Sequence, residues 1–302
     1  DTFNRVFAAL NPEEFNRRFL IWVKSMNPLI ADEIINIDGK TVRHSFDTKT
    51  NTSAIHMVSA WANKAGIILG QIKVNEKSNE ITAIPELIEL LELEGCVVTI
   101  DAMGTQKKIA EKIVDKHADY MLALKGNQGT LKDDVELYFE EIDEKNYDTQ
   151  IVDYDKHVEK DHGRIEIREC WSTEKIQWLT QKEDWKNLQS ISLIRSTRII
   201  DDKETTEDRL YISSLHANAQ KHNFIIRKHW GIENSLHWVL DMAFDEDHCR
   251  KRKKHSAENF AIVRHVALNM LKKETASNLS IRRKRLTAGW DSDYLEKIIF
   301  QA

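Results

Sequence analysis

The chain has 302 residues, of which 41% are hydrophobic and 31% charged, with a formal net charge of −5. This composition is typical of a globular protein that buries a full core, in two domains or in one domain with a large insertion. No apolar run reaches the length of a membrane span and no signal-peptide pattern opens the chain, which predicts a cytoplasmic protein without a membrane partner. The three cysteines match no zinc-site spacing, so we expect reduced thiols.

The first half of the chain alternates between strand and helix patterns. The periodicities predict helix over residues 1–31, strands at 34–38, 54–61 and 67–74, a helix at 81–91, a strand at 97–101, a helix around 109–113 and a strand at 120–124. The first three strands can pair antiparallel, whereas helical crossovers place the last two parallel to existing strands. This order predicts the α/β class, with a ribonuclease H-like mixed sheet flanked by helices.

The alternation lapses between residues 129 and 211. A helix at 131–139 is followed by short apolar runs between polar stretches, and a helical pattern resumes near residue 219. Since the chain opens at Asp1 within a helical pattern, we expect that an N-terminal part is missing. The predicted organisation is a helical remnant of a truncated associated domain at 1–31, the first part of a catalytic core at 32–128, a β-rich insertion at 129–211, the remaining core helices at 212–275 and a basic tail at 276–302.

Two of the predicted strands end in an aspartate. Asp38 closes the run 34–37, and Asp101 follows the β-branched run 97–100 before the break at Gly104. Carboxylates at the ends of core strands suit divalent metal held by oxygen ligands, with phosphate as a co-ligand.

A third group of polar residues lies on the resumed helix. Glu233, His237 and Asp241 recur every four residues and therefore share one helix face. Beside Trp230 and Trp238 they could form the lip of a site. The alternative, which spacing alone favours, is a solvent-facing stripe with the aromatic residues turned to the core. A zinc site on this helix alone is disfavoured because the metalloprotease spacing is absent.

Basic residues concentrate near the end of the chain. Only Glu258 and Glu274 oppose them before Leu286. Such a block predicts a phosphate-facing surface, with a solvated face as the alternative. Its members are Arg250, Lys251, Arg252, Lys253, Lys254, Arg264, Lys272, Lys273, Arg282, Arg283, Lys284 and Arg285.

Several short motifs in chain order resemble the DDE transposases of bacterial insertion sequences, closest to the H-repeat-associated proteins of Rhs elements. The resemblance extends over residues 1–273, and the motifs together make it specific. They are residues 37–43, 99–102, 124–128, 162–166, 230–234, 257–259 with Arg264, and 267–269.

The resemblance implies a catalytic triad of Asp38, Asp101 and Glu233 on a ribonuclease H-like fold, binding Mg²⁺ or Mn²⁺, with two ions expected. It also implies a β-strand insertion before the glutamate helix, where the pattern lapses. Related transposases carry tyrosine, arginine and lysine around this glutamate. Here the corresponding residues are Ile226, His229 and Leu240, which leaves Arg227, Lys228 and His237 as substitutes for DNA contact.

Further residues are predicted to contact DNA. Lys40 and Arg43 could hold phosphates beside the metals, with simple surface exposure as an equal alternative. Lys125 and Asn127 follow the strand at 120–124, where a purely structural turn is an equal alternative. The complete predicted set is Lys40, Arg43, Lys125, Asn127, Arg164, Arg227, His237, Arg252, Lys253 and Lys254.

The function implied by the resemblance is metal-dependent DNA strand cleavage and strand transfer at insertion-sequence ends. Its partners are double-stranded DNA, as terminal repeats and target, and a second copy of the chain during synapsis; the expected location is the bacterial nucleoid. Two cations activate the nucleophile and stabilise the departing oxygen of a phosphodiester. A nuclease of the same fold without strand transfer, and a decayed or domesticated DNA-binding relative, are the alternatives. The intact acids argue against decay, and the N-terminal part that we expect to be missing would argue for it.

Overall fold

The computed structural model describes residues 2–26, 32–48, 53–75, 78–144, 152–161 and 163–300. In chain order its elements are α1 (Thr2–Ala9), α2 (Pro12–Met26), β1 (Ile34–Thr41), β2 (His56–Ala62), β3 (Ile67–Lys73), α3 (Glu80–Leu90), β4 (Val97–Ile100), α4 (Lys107–Asp115), β5 (Asp119–Leu124), α5 (Gly129–Glu144), β6 (Asp153–Asp161), β7 (Arg164–Thr173), β8 (Ser190–Ile200), β9 (Lys203–Ser213), α6 (Ala219–His229), a π-helical turn (Glu233–His237), α7 (Trp238–Phe244), α8 (Ser256–Lys273), α9 (Ile281–Trp290) and α10 (Ser292–Phe300). Two compact units divide the chain: unit 1 is Asp1–Glu92 with Trp230–Ala302, and unit 2 is Leu93–His229.

Unit 1 is built on an antiparallel meander of β1, β2 and β3, in which Asp38 lies opposite Ser59. Helices α2, α3 and α8 pack against β3. Gly70 permits this close approach, because a Cβ there would lie 2.9 Å from Leu20 and 3.3 Å from Leu87. Asn269 of α8 accepts a hydrogen bond from the Ile68 N–H and donates one to its carbonyl, which satisfies polar groups of this outer strand.

The N-terminal helices are part of unit 1. Helix α1 contacts α8, and the Asn259 side chain of α8 donates hydrogen bonds to the carbonyls of Phe7 and Leu10, at 2.7 and 3.0 Å. Residues 1–31 were predicted as a helical remnant of an associated domain, and that origin stays a prediction. In the structure α2 buries Phe19, Leu20 and Val23.

Unit 2 contains a mixed sheet in the order β4-β5-β9-β8-β7-β6. Strands β4 and β5 are parallel, and every other neighbouring pair is antiparallel. The β-rich insertion predicted at 129–211 therefore extends the sheet from β5 through β9. Buried His222 on α6 lies 3.0 Å from the Ser172 hydroxyl of β7 and 2.8 Å from the Ser192 hydroxyl of β8, which fixes α6 against this extension.

The meander, crossover and parallel strands confirm the predicted α/β, ribonuclease H-like class with a β-rich insertion. The segment predicted as a basic tail, 276–302, contains α9 and α10 in its described part. Lys284 of α9 is buried and lies 3.2 Å from the buried carboxylate of Glu274, and Ile298 of α10 is buried as well. Within the part of the chain that the structure describes, Cys96, Cys170 and Cys249 form no disulfide. Among the described residues, no helix is both long enough and apolar enough to cross a membrane.

Candidate active site

Strand β1 carries Asp38 out of the core of unit 1. Ile35 and Ile37 are fully buried, whereas the Asp38 side chain is 20% exposed. Its Oδ1 accepts a hydrogen bond from the Gly39 N–H at 2.8 Å. Gly39 is confined on its other side, since a Cβ there would clash with the His56 and Glu80 side chains. Asp38 is therefore held at a fixed place, with one oxygen occupied by the backbone.

Glu233 begins the π-helical turn that precedes α7. Such turns occur often at functional sites, because the wider turn changes the direction of the side chains that follow. Gly231 allows this helical segment to approach the meander, since a Cβ at that position would lie 2.4 Å from Asn63 Oδ1. Asn63 is itself held by hydrogen bonds to Asn36 and to the Ile34 carbonyl. Close packing within unit 1 thus positions Glu233.

Asp38, Glu233 and His237 form one cluster. A possible ligand atom of each lies within 4.8 Å of the others. His237 Nδ1 is 3.6 Å from Asp38 Oδ2 and 3.4 Å from Glu233 Oε2. The His237 side chain is buried, while that of Glu233 is 52% exposed, so the cluster opens to solvent at the glutamate. Hydrogen bonding to His237 lowers the pKa of Glu233, although partial burial opposes the shift.

Lys40 lies behind this cluster in a network of acids. Its Nζ is 2.5 Å from Asp241, 3.0 Å from Glu246 and 3.6 Å from Asp247. Burial by itself would lower the pKa of Lys40, but the charge of Glu246 and the hydrogen bonds to Asp241 and Glu246 raise it. Buried Arg264 adds a second cation, 3.2 Å from Glu246. Lys40 was predicted to contact DNA phosphate. In the structure its side chain is 13% exposed and paired with these carboxylates, and a contact with DNA phosphate stays a prediction.

Asp101 follows β4 in unit 2 and is half-buried. Its Oδ1 accepts hydrogen bonds from the N–H groups of Met103 and Gly104, at 3.1 and 3.3 Å, which orders the turn after the strand. Two residues earlier, Thr99 Oγ1 lies 2.9 Å from His229 Nδ1 and joins the end of α6 to β4. The carboxylate thus ends a buried strand, as the sequence predicts.

The other predicted DNA contacts differ in their surroundings. In unit 1, Arg43 is exposed and lies 3.3 Å from Asp247. Arg252 donates a hydrogen bond to the His44 carbonyl and packs on the Phe46 ring. Lys253 and Lys254 are exposed. In unit 2, Lys125 is exposed, Asn127 donates to the Ala102 carbonyl, Arg164 pairs with Glu166 and Arg227 pairs with Glu159. His237 is buried among acids. A DNA contact from each exposed residue stays a prediction.

Sequence reasoning placed Glu233, His237 and Asp241 on one helix face but missed two features. It did not predict the contact between His237 and Asp38, and it did not predict the ion pairs of Lys40 with Asp241 and Glu246. The i, i+4 spacing was a signal for part of this arrangement. The ion pairs of Lys40 could not be predicted from the sequence, because the residues that form them lie on elements far apart in the chain.

Comparisons with known proteins agree with these observations. The transposase DDE domain family matches residues 31–270. The H repeat-associated putative transposase YhhI of Escherichia coli K12 is 39% identical over an alignment 308 positions long, which covers 99% of this chain and 80% of that protein. The putative transposase YncI of Escherichia coli O157:H7 is 41% identical over 303 residues, covering 99% of this chain and 77% of that protein.

A search of solved structures found the piggyBac transposase synaptic complex with hairpin DNA. It aligns with a TM-score of 0.46 and 10% identity, covering 89% of this chain and 54% of that one. The family match and the relatives that align with 99% of this chain confirm the resemblance seen in the sequence motifs. The chain belongs to the transposase DDE domain family.

Proposed function

We propose that this protein is a metal-dependent transposase that cleaves DNA strands at insertion-sequence ends and transfers them to a target. Asp38, Asp101 and Glu233 are its catalytic carboxylates. The observation that carries the proposal is the cluster of Asp38 and Glu233, two acids far apart in sequence. One carboxylate oxygen of each lies within 4.8 Å of one of the other. Asp101 is assigned from its motif and from its place directly after β4.

The donor set fits a divalent cation, because carboxylate oxygens are the ligands that Mg²⁺ and Mn²⁺ prefer and Glu233 leaves the site open to a phosphate. When bound, a pair of such ions would activate the attacking hydroxyl and stabilise the departing oxygen. The protein's part is positional. The Gly39 N–H orients Asp38, packing at Gly231 orients Glu233, and Lys40 holds Asp241 of the same helical segment.

DNA binding in this proposal falls to exposed basic residues. In unit 1, Arg252 packs beside the turn Arg43–Ser45, and Lys253 and Lys254 follow it. Their charges would contact phosphates of the terminal repeats or target and would release condensed counterions. Because two element ends react together, we propose that a homodimer forms during synapsis.

The test is nicking of a supercoiled plasmid that carries element ends, with Mg²⁺ or Mn²⁺. We expect Asp38→Asn, Asp101→Asn and Glu233→Gln each to abolish nicking while DNA binding persists. Asp245→Asn is the matched control, since Asp245 is 75% exposed, pairs with His248 and sits in a left-handed conformation that asparagine tolerates. Nicking by any of the three variants would contradict the triad.

Labelled element ends separate the alternatives. Joining of labelled ends to a target plasmid supports a transposase. Hydrolysis without joining would instead identify a nuclease, and salt-sensitive DNA binding without cleavage by the wild type would identify a DNA-binding relative that has lost the reaction.

A further inference from the structure

We infer that His237 is a metal ligand alongside Asp38 and Glu233, which gives unit 1 a cation site of one nitrogen and two carboxylate donors that favours Mn²⁺ over Mg²⁺. The inference deepens the proposed function and rests on it for the role of the two acids. It changes the expected metal preference of the site, because a site made of carboxylates alone would have no nitrogen donor.

The geometry of the cluster supports shared coordination. The distances of 3.4 and 3.6 Å from His237 Nδ1 to Glu233 and Asp38 exceed those of a tight charged hydrogen bond, which is about 2.7–2.9 Å. Two donors bound at right angles to one cation, each at about 2.1 Å, lie about 3 Å apart. A contraction of about half an ångström would therefore bring His237 to coordination spacing from each carboxylate, and the ligand atoms of all three side chains lie within 4.8 Å of one another.

The other side of the imidazole faces a small cavity and a second buried histidine. Nε2 of His237 is buried and has no hydrogen-bond partner among the described residues. A cavity of about 10 Å³ is lined by His237, His265, Lys40 and Glu246. Metal-bound histidines donate their second ring N–H to an acceptor, which fixes the tautomer. Coordination through Nδ1 would place that hydrogen on Nε2.

His265 is a suitable acceptor. Its Nδ1 is likewise buried and unpartnered within the described part of the chain, and its side chain lines the same cavity. The His265 side chain is 3% exposed, and a neutral imidazole carries a lone pair on one ring nitrogen that can accept a hydrogen bond. The cavity is about the size of one water molecule, which suffices for a bridge between the two rings.

The metal preference follows from the donor types. Mg²⁺ takes oxygen ligands and loses its water reluctantly, whereas Mn²⁺ and the later divalent ions accept imidazole nitrogen more readily. An imidazole from a buried side chain therefore improves binding of Mn²⁺ more than that of Mg²⁺. Co²⁺ and Zn²⁺ would bind more tightly still.

The test measures metal binding rather than DNA cleavage. Calorimetric titration of the full chain with Mn²⁺ and with Mg²⁺ is compared for wild type, His237→Ala and His237→Gln, with His248→Ala as the matched control. His248 is 76% exposed and pairs with Asp245 outside the cluster. We expect wild type to bind Mn²⁺ about 10-fold or more tightly than Mg²⁺, and the His237 variants to lose about 10-fold or more in Mn²⁺ affinity with little change for Mg²⁺.

Pulsed electron paramagnetic resonance of bound Mn²⁺ tests the bond itself. Modulation from a coordinated ¹⁴N nucleus is expected in wild type and His248→Ala and absent from His237→Gln. Its absence from wild type would overturn the inference without recourse to any variant, as would an unchanged Mn²⁺ affinity in a folded His237→Gln protein. Nitrogen coordination without nicking would retain this site and refute the proposed function, whereas nicking without nitrogen coordination would do the reverse.

Discussion

Replacing Lys40 with methionine should destabilise unit 1 strongly, because it removes a cation that several acids share. The substitution keeps most of the side-chain volume and deletes the charge. It leaves Glu246, which is 2% exposed, with Arg264 as its remaining cation at 3.2 Å, and it leaves Asp241 without its 2.5 Å contact.

The magnitude follows from the burial of these groups. Removing one partner of a buried ion pair costs about 3–5 kcal/mol, since the other charge stays buried without compensation. Here Arg264 still faces Glu246, and Asp241 and Asp247 are 32% and 20% exposed, so solvent offsets part of the loss. We therefore expect the free energy of unfolding to fall by about 2–3 kcal/mol.

Urea unfolding followed by tryptophan fluorescence at pH 7 measures this change. Lys24→Met is the matched control, because Lys24 pairs with Glu92 at 2.7 Å while both side chains are at least half exposed. Such a surface pair contributes less than about 1 kcal/mol. If Lys40→Met costs no more than Lys24→Met, the network does not stabilise the fold as argued.

The pH dependence provides a second check on the same substitution. The pKa of Lys40 is raised in the folded protein, so its contribution is complete below the ordinary value of 10.5 and is lost as pH rises through the folded value. The difference in the free energy of unfolding between wild type and Lys40→Met should therefore stay constant near neutrality and shrink only above pH 10.5. A difference that disappears between pH 6 and 8 would contradict this assignment.

Three further outcomes are expected. Gly231→Ala should lower the free energy of unfolding by about 1–3 kcal/mol and reduce nicking, because the new Cβ would lie 2.4 Å from Asn63 Oδ1. Gly289→Ala is the control: nothing lies near its new Cβ, so it should leave stability unchanged or raise it, and thermal unfolding compares the two variants. Alanine replacement of the basic run 252–254 should weaken DNA binding and reduce the log–log salt slope by about 2–3, and an unchanged slope would indicate a solvated face. Burial lowers the pKa of His222 to about 4, so stability should fall as pH drops from 6.5 toward that value, by up to about 1.4 kcal/mol per pH unit, and His222→Asn should flatten this slope in urea titrations.

The sequence by itself determined the order of strands and helices in the core and the strand-end positions of Asp38 and Asp101. These features were readable because a buried strand needs a run of apolar, β-branched residues such as 97–100, and a polar side chain can follow only where the strand leaves the core. The helix that carries Glu233 was readable for a related reason, since its apolar residues recur with helical spacing.

Tertiary structure decided which of these groups meet. The cluster of Asp38, Glu233 and His237 depends on packing at Gly231, where the clearance is set by a distant asparagine. The inward turn of Lys40 depends on acids two hundred positions along the chain. Pairing of β9 with β5, which makes the insertion part of the sheet, depends on hydrogen bonds between strands. Local pattern reports the burial of a residue, but contacts between remote residues depend on how the whole chain packs, and that information is spread over the entire sequence.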